Sequence, residues 1–152
     1  MTRSVLFLCS GNYYRSRFAE ILFNHLAREL DLPWRAESRG IVAAASRNPG
    51  PISEYALAGL NARKISPGAP RDPLQLTEAD LARAARIIAL YRVEHAPMLE
   101  RDFPHWAKRV EYWDVPDLGE MEAEQALARI EERVRTLVEQ LAASPQSLAV
   151  VR

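Results

Sequence analysis

Only one cysteine, Cys9, occurs in the sequence, so no disulfide framework can form within the chain, and a reducing compartment is expected. A surplus of either charge is also missing: 20 Lys and Arg residues face 20 Asp and Glu residues. That balance argues against a nucleic-acid binder and against a polybasic membrane-surface protein. No segment approaches the roughly 18 apolar residues of a membrane span. The early run "VLFLC" is shorter than the roughly 7–15 residues of a secretory h-region, so a cytoplasmic protein is expected. No G-x-G-x-x-G follows the first apolar run, which leaves a dinucleotide-binding role without support. His95 and His105 have no second ligand at metal spacing, so no metal site is expected. Repeats, low-complexity linkers and composition shifts are absent too. The 152 residues, 48% of them apolar, therefore read as one domain, 1–152.

What is present divides into alternating apolar runs and amphipathic stretches. Val5–Cys9 is a continuous apolar run, as in a central parallel strand covered on both faces. From about Ser16 to Leu30, Phe18, Ile21, Leu22, Leu26 and Leu30 recur at helical spacing, and His25 falls at the edge of their stripe. Trp34–Ser38 reads as a second strand. Pro51, closing "NPGP", is placed to begin a helix that contains Tyr55–Leu60. Thr77 and Asp80 resemble a capping box before a short helix. Arg86–Tyr91 reads as a third strand, a helix is expected around Glu94–Arg101 despite Pro97, and Arg109–Tyr112 reads as a fourth strand. Leu127, Ile130, Val134, Leu137 and Leu141 mark a last amphipathic helix. Strands alternating with helices imply an α/β fold: an open four-stranded parallel sheet with right-handed crossovers and helices on both faces. Trp34, Trp106 and Trp113 are expected to pack rather than form a stacking platform, and Arg39 to lie on the surface.

The most informative stretch is "VLFLCSGNYYRSRFAE", residues 5–20. Taken alone, Cys9 is a small hydrophobe at a strand end. The loop after it changes that reading. Between a strand end and a helix start, backbone N–H groups and the helix dipole favour an anion. Gly11 removes side-chain obstruction, and Asn12 tolerates left-handed backbone angles, so the loop from Ser10 through Tyr13 and Tyr14 can turn its N–H groups inward. Arg15 offers a planar fork to two anion oxygens. Positive surroundings favour the reactive thiolate, and Ser16 can donate a hydrogen bond to the sulfur. The pattern C-x5-R is common by chance; its place between an apolar strand and an amphipathic helix gives it weight. In open α/β sheets ligands bind beyond the carboxyl ends of the strands, where Cys9 lies.

With its "GN", "RS" and "AE", this stretch resembles the N-terminal signature of the low-molecular-weight protein tyrosine phosphatase family. "ESRGI" at 37–41, "LTEADLARAARIIAL" at 76–90 and "VPDL" at 115–118 resemble other segments of the same family, so the resemblance spans roughly the whole chain. It implies the strand order 2-1-3-4 and a phosphomonoester hydrolase that works without metal or cofactor. By this resemblance Cys9 matches the nucleophile, Arg15 the phosphate-binding arginine, Asn12 the asparagine that holds the loop, Ser16 the serine that supports the thiolate, and Asp117 the general acid. The implied substrate is a phosphorylated protein or a small aryl phosphate. Asp114 is a rival acid three residues upstream; Pro116-Asp117 fits the family spacing better.

Three departures from the family pattern bear on function. Leu118 and Gly119 follow the acid where the family usually has proline and aromatics. Tyr13 and Tyr14 either supply aromatic surface in their stead or narrow the pocket. Tyr14 also stands where many relatives carry a second cysteine, which removes a protective disulfide. Tyr91 stands where relatives often have an aspartate, with a consequence for support of the loop. A non-catalytic phosphate- or phosphopeptide-binding relative, or an arsenate reductase drawing on an external thiol, are the alternatives; the latter's relatives use further cysteines that this chain lacks. The oligomeric state stays open.

Overall fold

The computed structural model describes residues 2–144. Its elements run β1 (Arg3–Cys9), α1 (Arg15–Glu29), β2 (Trp34–Gly40), α2 (Glu54–Ala62), α3 (Glu78–Arg83), β3 (Arg86–Ala89), α4 (Arg92–Asp102), β4 (Glu111–Tyr112) and α5 (Ala123–Ala142), with short 3-10 turns at Ala43–Ala45 and Ala107–Arg109. The four strands form one sheet in the order β2-β1-β3-β4, and every neighbouring pair is parallel. The expected α/β architecture and strand order are therefore observed. Among the described residues no helix is long and apolar enough to cross a membrane.

The continuous apolar run of β1 has a direct reason: its side chains alternate between two cores. Val5 and Phe7 face a cluster built with Phe18, Leu22 and Phe23 of α1, Leu60 of α2 and Ile130 and Val134 of α5. Leu6 and Leu8 face a second cluster with Ile41, Leu81 of α3 and Leu99 of α4. A side chain as large as Phe or Leu contributes roughly 1.5–3 kcal/mol when fully buried, so this strand anchors both layers. Trp34 is buried, and the Trp113 ring lies 5.7 Å from that of Phe7, in packing roles as expected.

Several boundaries differ from the sequence reading; β2 runs on past Ser38 to Gly40 because it stays paired with β1 as far as Cys9, and three others have a local reason. The helix expected from Pro51 begins at Glu54, because Ser53 takes the N-cap and its hydroxyl accepts from the Tyr55 N–H at 3.1 Å. β3 ends at Ala89 rather than Tyr91; Tyr91 instead precedes α4, and its N–H donates to His95 Nδ1. β4 shortens to Glu111–Tyr112 because a 3-10 turn occupies Ala107–Arg109. The capping box forms as read: the Thr77 hydroxyl accepts from the Asp80 N–H, and the Asp80 carboxylate accepts from the Thr77 N–H. Arg39, expected at the surface, is largely covered, lying 3.3 Å from both the Glu37 and the Asp80 carboxylates.

Candidate active site

At the carboxyl end of β1 the chain turns through residues 10–14 and enters α1. Two constraints shape this loop. Asn12 has φ 54°, in the left-handed region where Asn is among the few tolerated side chains. Gly40, paired with Cys9 at the end of β2, lies so close that a Cβ there would sit 2.8 Å from the Asn12 N and the Gly11 carbonyl carbon. Only glycine lets β2 approach the loop so closely. Hydrogen bonds from the Ile41 and Val42 N–H groups to the Cys9 and Ser10 carbonyls, and from the Ser53 N–H to the Tyr13 carbonyl, fasten the loop on both sides. The first turn of α1 has no acidic residue, and Tyr14, its N-cap, makes no side-chain capping bond, so the N–H groups and dipole of this end can face an anion.

Beneath the loop lies a buried polar network. The Cys9 Sγ is 2.8 Å from Ser16 Oγ. Asn12 Nδ2 donates to Ser16 Oγ and to Ser38 Oγ, each at 2.9 Å. Ser16 Oγ accepts from Asn12 and keeps its own proton, which it can donate to the sulfur. Asn12 Oδ1 in turn accepts from Arg71 Nη1 and the Leu74 N–H, each at 3.0 Å. Glu20 closes the network, accepting from Ser38 Oγ and from Arg71 Nη2.

Arg15 is 2% exposed, which makes it a built-in charge rather than a solvated helix-start residue. Its Nη1 donates to the Val115 carbonyl at 2.9 Å, and its Nη2 to Glu94 Oε2 at 2.8 Å. The same Glu94 carboxylate accepts from Ser10 Oγ and lies 3.2 Å from His95 Nε2. Burial alone would push the Glu94 carboxyl up, yet the facing His95 ring and the hydrogen bonds from Arg15 and Ser10 hold it well below the usual carboxylate range. Burial pushes His95 down, toward the neutral ring.

Cys9, Ser10, Gly11, Tyr13, Tyr14, Arg15 and Asp117 line one cleft of about 620 Å³, while Asn12 and Ser16 lie beneath it. Asp117 Oδ2 is 3.7 Å from Arg15 Nη2, and its Oδ1 accepts from the Leu118 N–H. Asp114 does not line this cleft; Arg133 and Arg129 engage its carboxylate at 2.9 and 3.7 Å. Of the two adjacent tyrosines, Tyr13 donates from its hydroxyl to the Pro49 carbonyl, whereas Tyr14 turns inward against Tyr55. The Tyr14 hydroxyl is buried without a hydrogen-bond partner among the described residues, and burial followed by the nearby Asp117 charge pushes it up to about 12. Tyr55, Ile52, Leu57 and Leu118 give the cleft an apolar mouth. Among the described residues no cluster of His, Cys, Asp or Glu could hold a metal ion.

Sequence reasoning missed Glu94, Glu20, Ser38 and Arg71. The signal for Glu94 was an acid in the first turn of the helix after the third strand, three residues beyond the position where relatives often carry an aspartate. Tyr91, at that position, directs its hydroxyl to Glu120 instead.

Over residues 4–147 the sequence matches the family model described as low molecular weight phosphotyrosine protein phosphatase. Solved structures of similar proteins agree. The low molecular weight protein tyrosine phosphatase from T. tengcongensis shares 26% identity over 91% of this chain and 99% of its own, with a TM-score of 0.76. YfkJ from Bacillus subtilis shares 28% identity over 96% of both chains, with a TM-score of 0.74. At 21% identity, SP-PTP, a low molecular weight protein tyrosine phosphatase from Streptococcus pyogenes, shares the fold over 97% of this chain and 98% of its own, with a TM-score of 0.80. A search of curated proteins returned no match. The chain belongs to the low molecular weight phosphotyrosine protein phosphatase family.

Proposed function

From membership of this family of cysteine-dependent phosphatases, we propose that the protein hydrolyses aryl phosphomonoesters, either phosphotyrosine in a protein or a small aryl phosphate. Cys9 is the nucleophile, Arg15 and the loop N–H groups hold the phosphoryl oxygens, and Asp117 is the general acid. The observation that carries the reading is the convergence on one cleft of a sulfur 2.8 Å from Ser16 Oγ, a buried guanidinium and a carboxylate 3.7 Å from that guanidinium.

The reaction has two steps. A lone pair of the Cys9 thiolate forms an S–P bond as the P–O bond to the leaving group breaks, and the released oxygen takes the proton of Asp117. Water then attacks phosphorus and gives its proton to the Asp117 carboxylate. The S–P bond breaks, which restores the thiolate and frees phosphate. In both steps charge collects on the equatorial oxygens, where prearranged N–H donors and Arg15 act without reorganisation cost. Asp117 is favoured over Asp114 by its place on the cleft wall, since two arginines hold Asp114 elsewhere.

The test is hydrolysis of a small aryl phosphate at mildly acid pH. Wild type turns over, Cys9→Ser is inactive, and Asp117→Asn loses about 10²–10⁴-fold in kcat while Asp114→Asn changes little. An inert wild type that still binds phosphate overturns the enzymatic reading. An unimpaired Asp117→Asn moves the acid role elsewhere.

A further inference from the structure

Arg15 and Ser10 are the two ends of the loop's circuit, and one carboxylate oxygen reaches both. Glu94 Oε2 accepts from Arg15 Nη2 at 2.8 Å and from Ser10 Oγ. It is brought there by α4, whose first turn follows the end of β3 directly. Behind it His95 is fully buried, and since its Nδ1 accepts from the Tyr91 N–H, its ring proton sits on Nε2, facing Glu94 at 3.2 Å. Arg15 has five N–H groups. Glu94 and the Val115 carbonyl hold one on each Nη, and Asp117 Oδ2 lies 3.7 Å from Nη2; among the described residues the other N–H groups make no hydrogen bond and can meet an anion.

We propose that Glu94 is a positioning residue for phosphate recognition, fixing the plane of the Arg15 guanidinium and tying Ser10 to it, so that the donors of the loop converge before the anion arrives. The inference rests on the reading of this loop as a phosphate cradle. It carries a sign that a purely electrostatic role does not share. A negative charge next to a dianion site repels the ligand, so a Glu94 that acted through charge alone would weaken phosphate binding, and its neutralisation would tighten it. A positioning Glu94 does the opposite, because its loss lets a side chain with several rotatable bonds wander from the binding geometry.

The experiment measures the affinity of inorganic phosphate by calorimetry for wild type, Glu94→Gln, Glu94→Asp, Arg15→Lys and the Arg15→Lys/Glu94→Gln double variant, with the thermal midpoint of each. Glu94→Gln and Glu94→Asp are both expected to weaken phosphate about tenfold, as befits loss of one charge-assisted hydrogen bond. Glu94→Asp keeps the charge and loses only reach, so a charge-only role leaves it near wild type. With lysine at position 15, Glu94→Gln is expected to change affinity less than about twofold, since the planar fork it positions is gone. Unchanged or tighter binding in Glu94→Gln overturns the proposal. So does an equal loss in both backgrounds, which marks a general loosening of the fold. Because the readout is binding, a wild type that binds phosphate without hydrolysing aryl phosphates refutes the proposed reaction and leaves Glu94 under test. Conversely, Glu94→Gln with full affinity in an active enzyme refutes only the role of Glu94.

Discussion

Replacing Asn12 tests the buried network most directly, because its contribution can be worked from the structure. Its side chain is fully buried and makes four hydrogen bonds, donating to Ser16 and Ser38 and accepting from Arg71 and the Leu74 N–H. Such bonds are worth roughly 0.5–1.5 kcal/mol each. Asn12→Ala does not lose all four in full. Arg71 keeps Glu20 and the Asp72 carbonyl, Ser38 keeps Glu20, and Leu74 is an exposed residue whose bond to Asn12 is only partly buried. About 2 kcal/mol is the expected loss from the bonds. Alanine must also hold φ near 54°, at a further cost of about 1 kcal/mol. The total of about 3 kcal/mol lowers the thermal midpoint of a domain this size by about 6–12 °C. Asn12→Gly loses the same bonds without the left-handed strain, so it should be about 1 kcal/mol more stable than Asn12→Ala. Urea titrations of wild type and both variants give the free energies, with equal slopes required before midpoints are compared. If Asn12→Ala costs under about 1 kcal/mol, the network does not carry the loop and the reasoning fails. If the glycine variant is less stable than the alanine variant, the strain argument fails.

Two further expectations concern buried groups near the cleft. Tyr14→Phe removes a hydroxyl that has no partner among the described residues, so it is expected to stabilise the fold by about 1 kcal/mol and raise the thermal midpoint by a few degrees; a lower midpoint would show that this hydroxyl is satisfied in solution. His95, faced by Glu94, Arg15 and Asp117, is held down by burial, so below the ordinary value of 6.5 the unfolded chain binds the extra proton first. The stability it contributes is present above that value and is lost as pH falls from it toward the folded-state value. The wild-type midpoint should therefore fall more steeply below pH 6.5 than that of His95→Gln, and parallel curves would refute this assignment.

Much of the framework could be read from the chain because its signals are local. The apolar run of β1, the three-and-four spacing of α5 and the Thr77–Asp80 capping box each report on contacts within a few residues, and the structure contains all three. The helix entry at Ser53 was displaced from Pro51 because a side-chain cap outweighed a favourable backbone angle. The loop itself was legible as a motif, but its supports were not. Ser38, Arg71 and Glu94 meet residues 10–16 only after β2, the following loop and α4 have been laid beside β1. No periodicity records that meeting, and Glu and Arg at such positions look like ordinary surface charges.

The hydrogen bonds that run from Cys9 through Ser16, Asn12 and Ser38 to Glu20 and Arg71 also bear on how this chemistry can be moved or varied. The contiguous stretch from Cys9 to Ser16 is not a transferable module. Grafted onto another strand–loop–helix junction, it would arrive without the hydroxyl of β2, the acid one turn along α1 and the arginine that bridges them. A scaffold designer would have to import at least these three positions together, and a natural lineage that loses one of them would be expected to change the others in step.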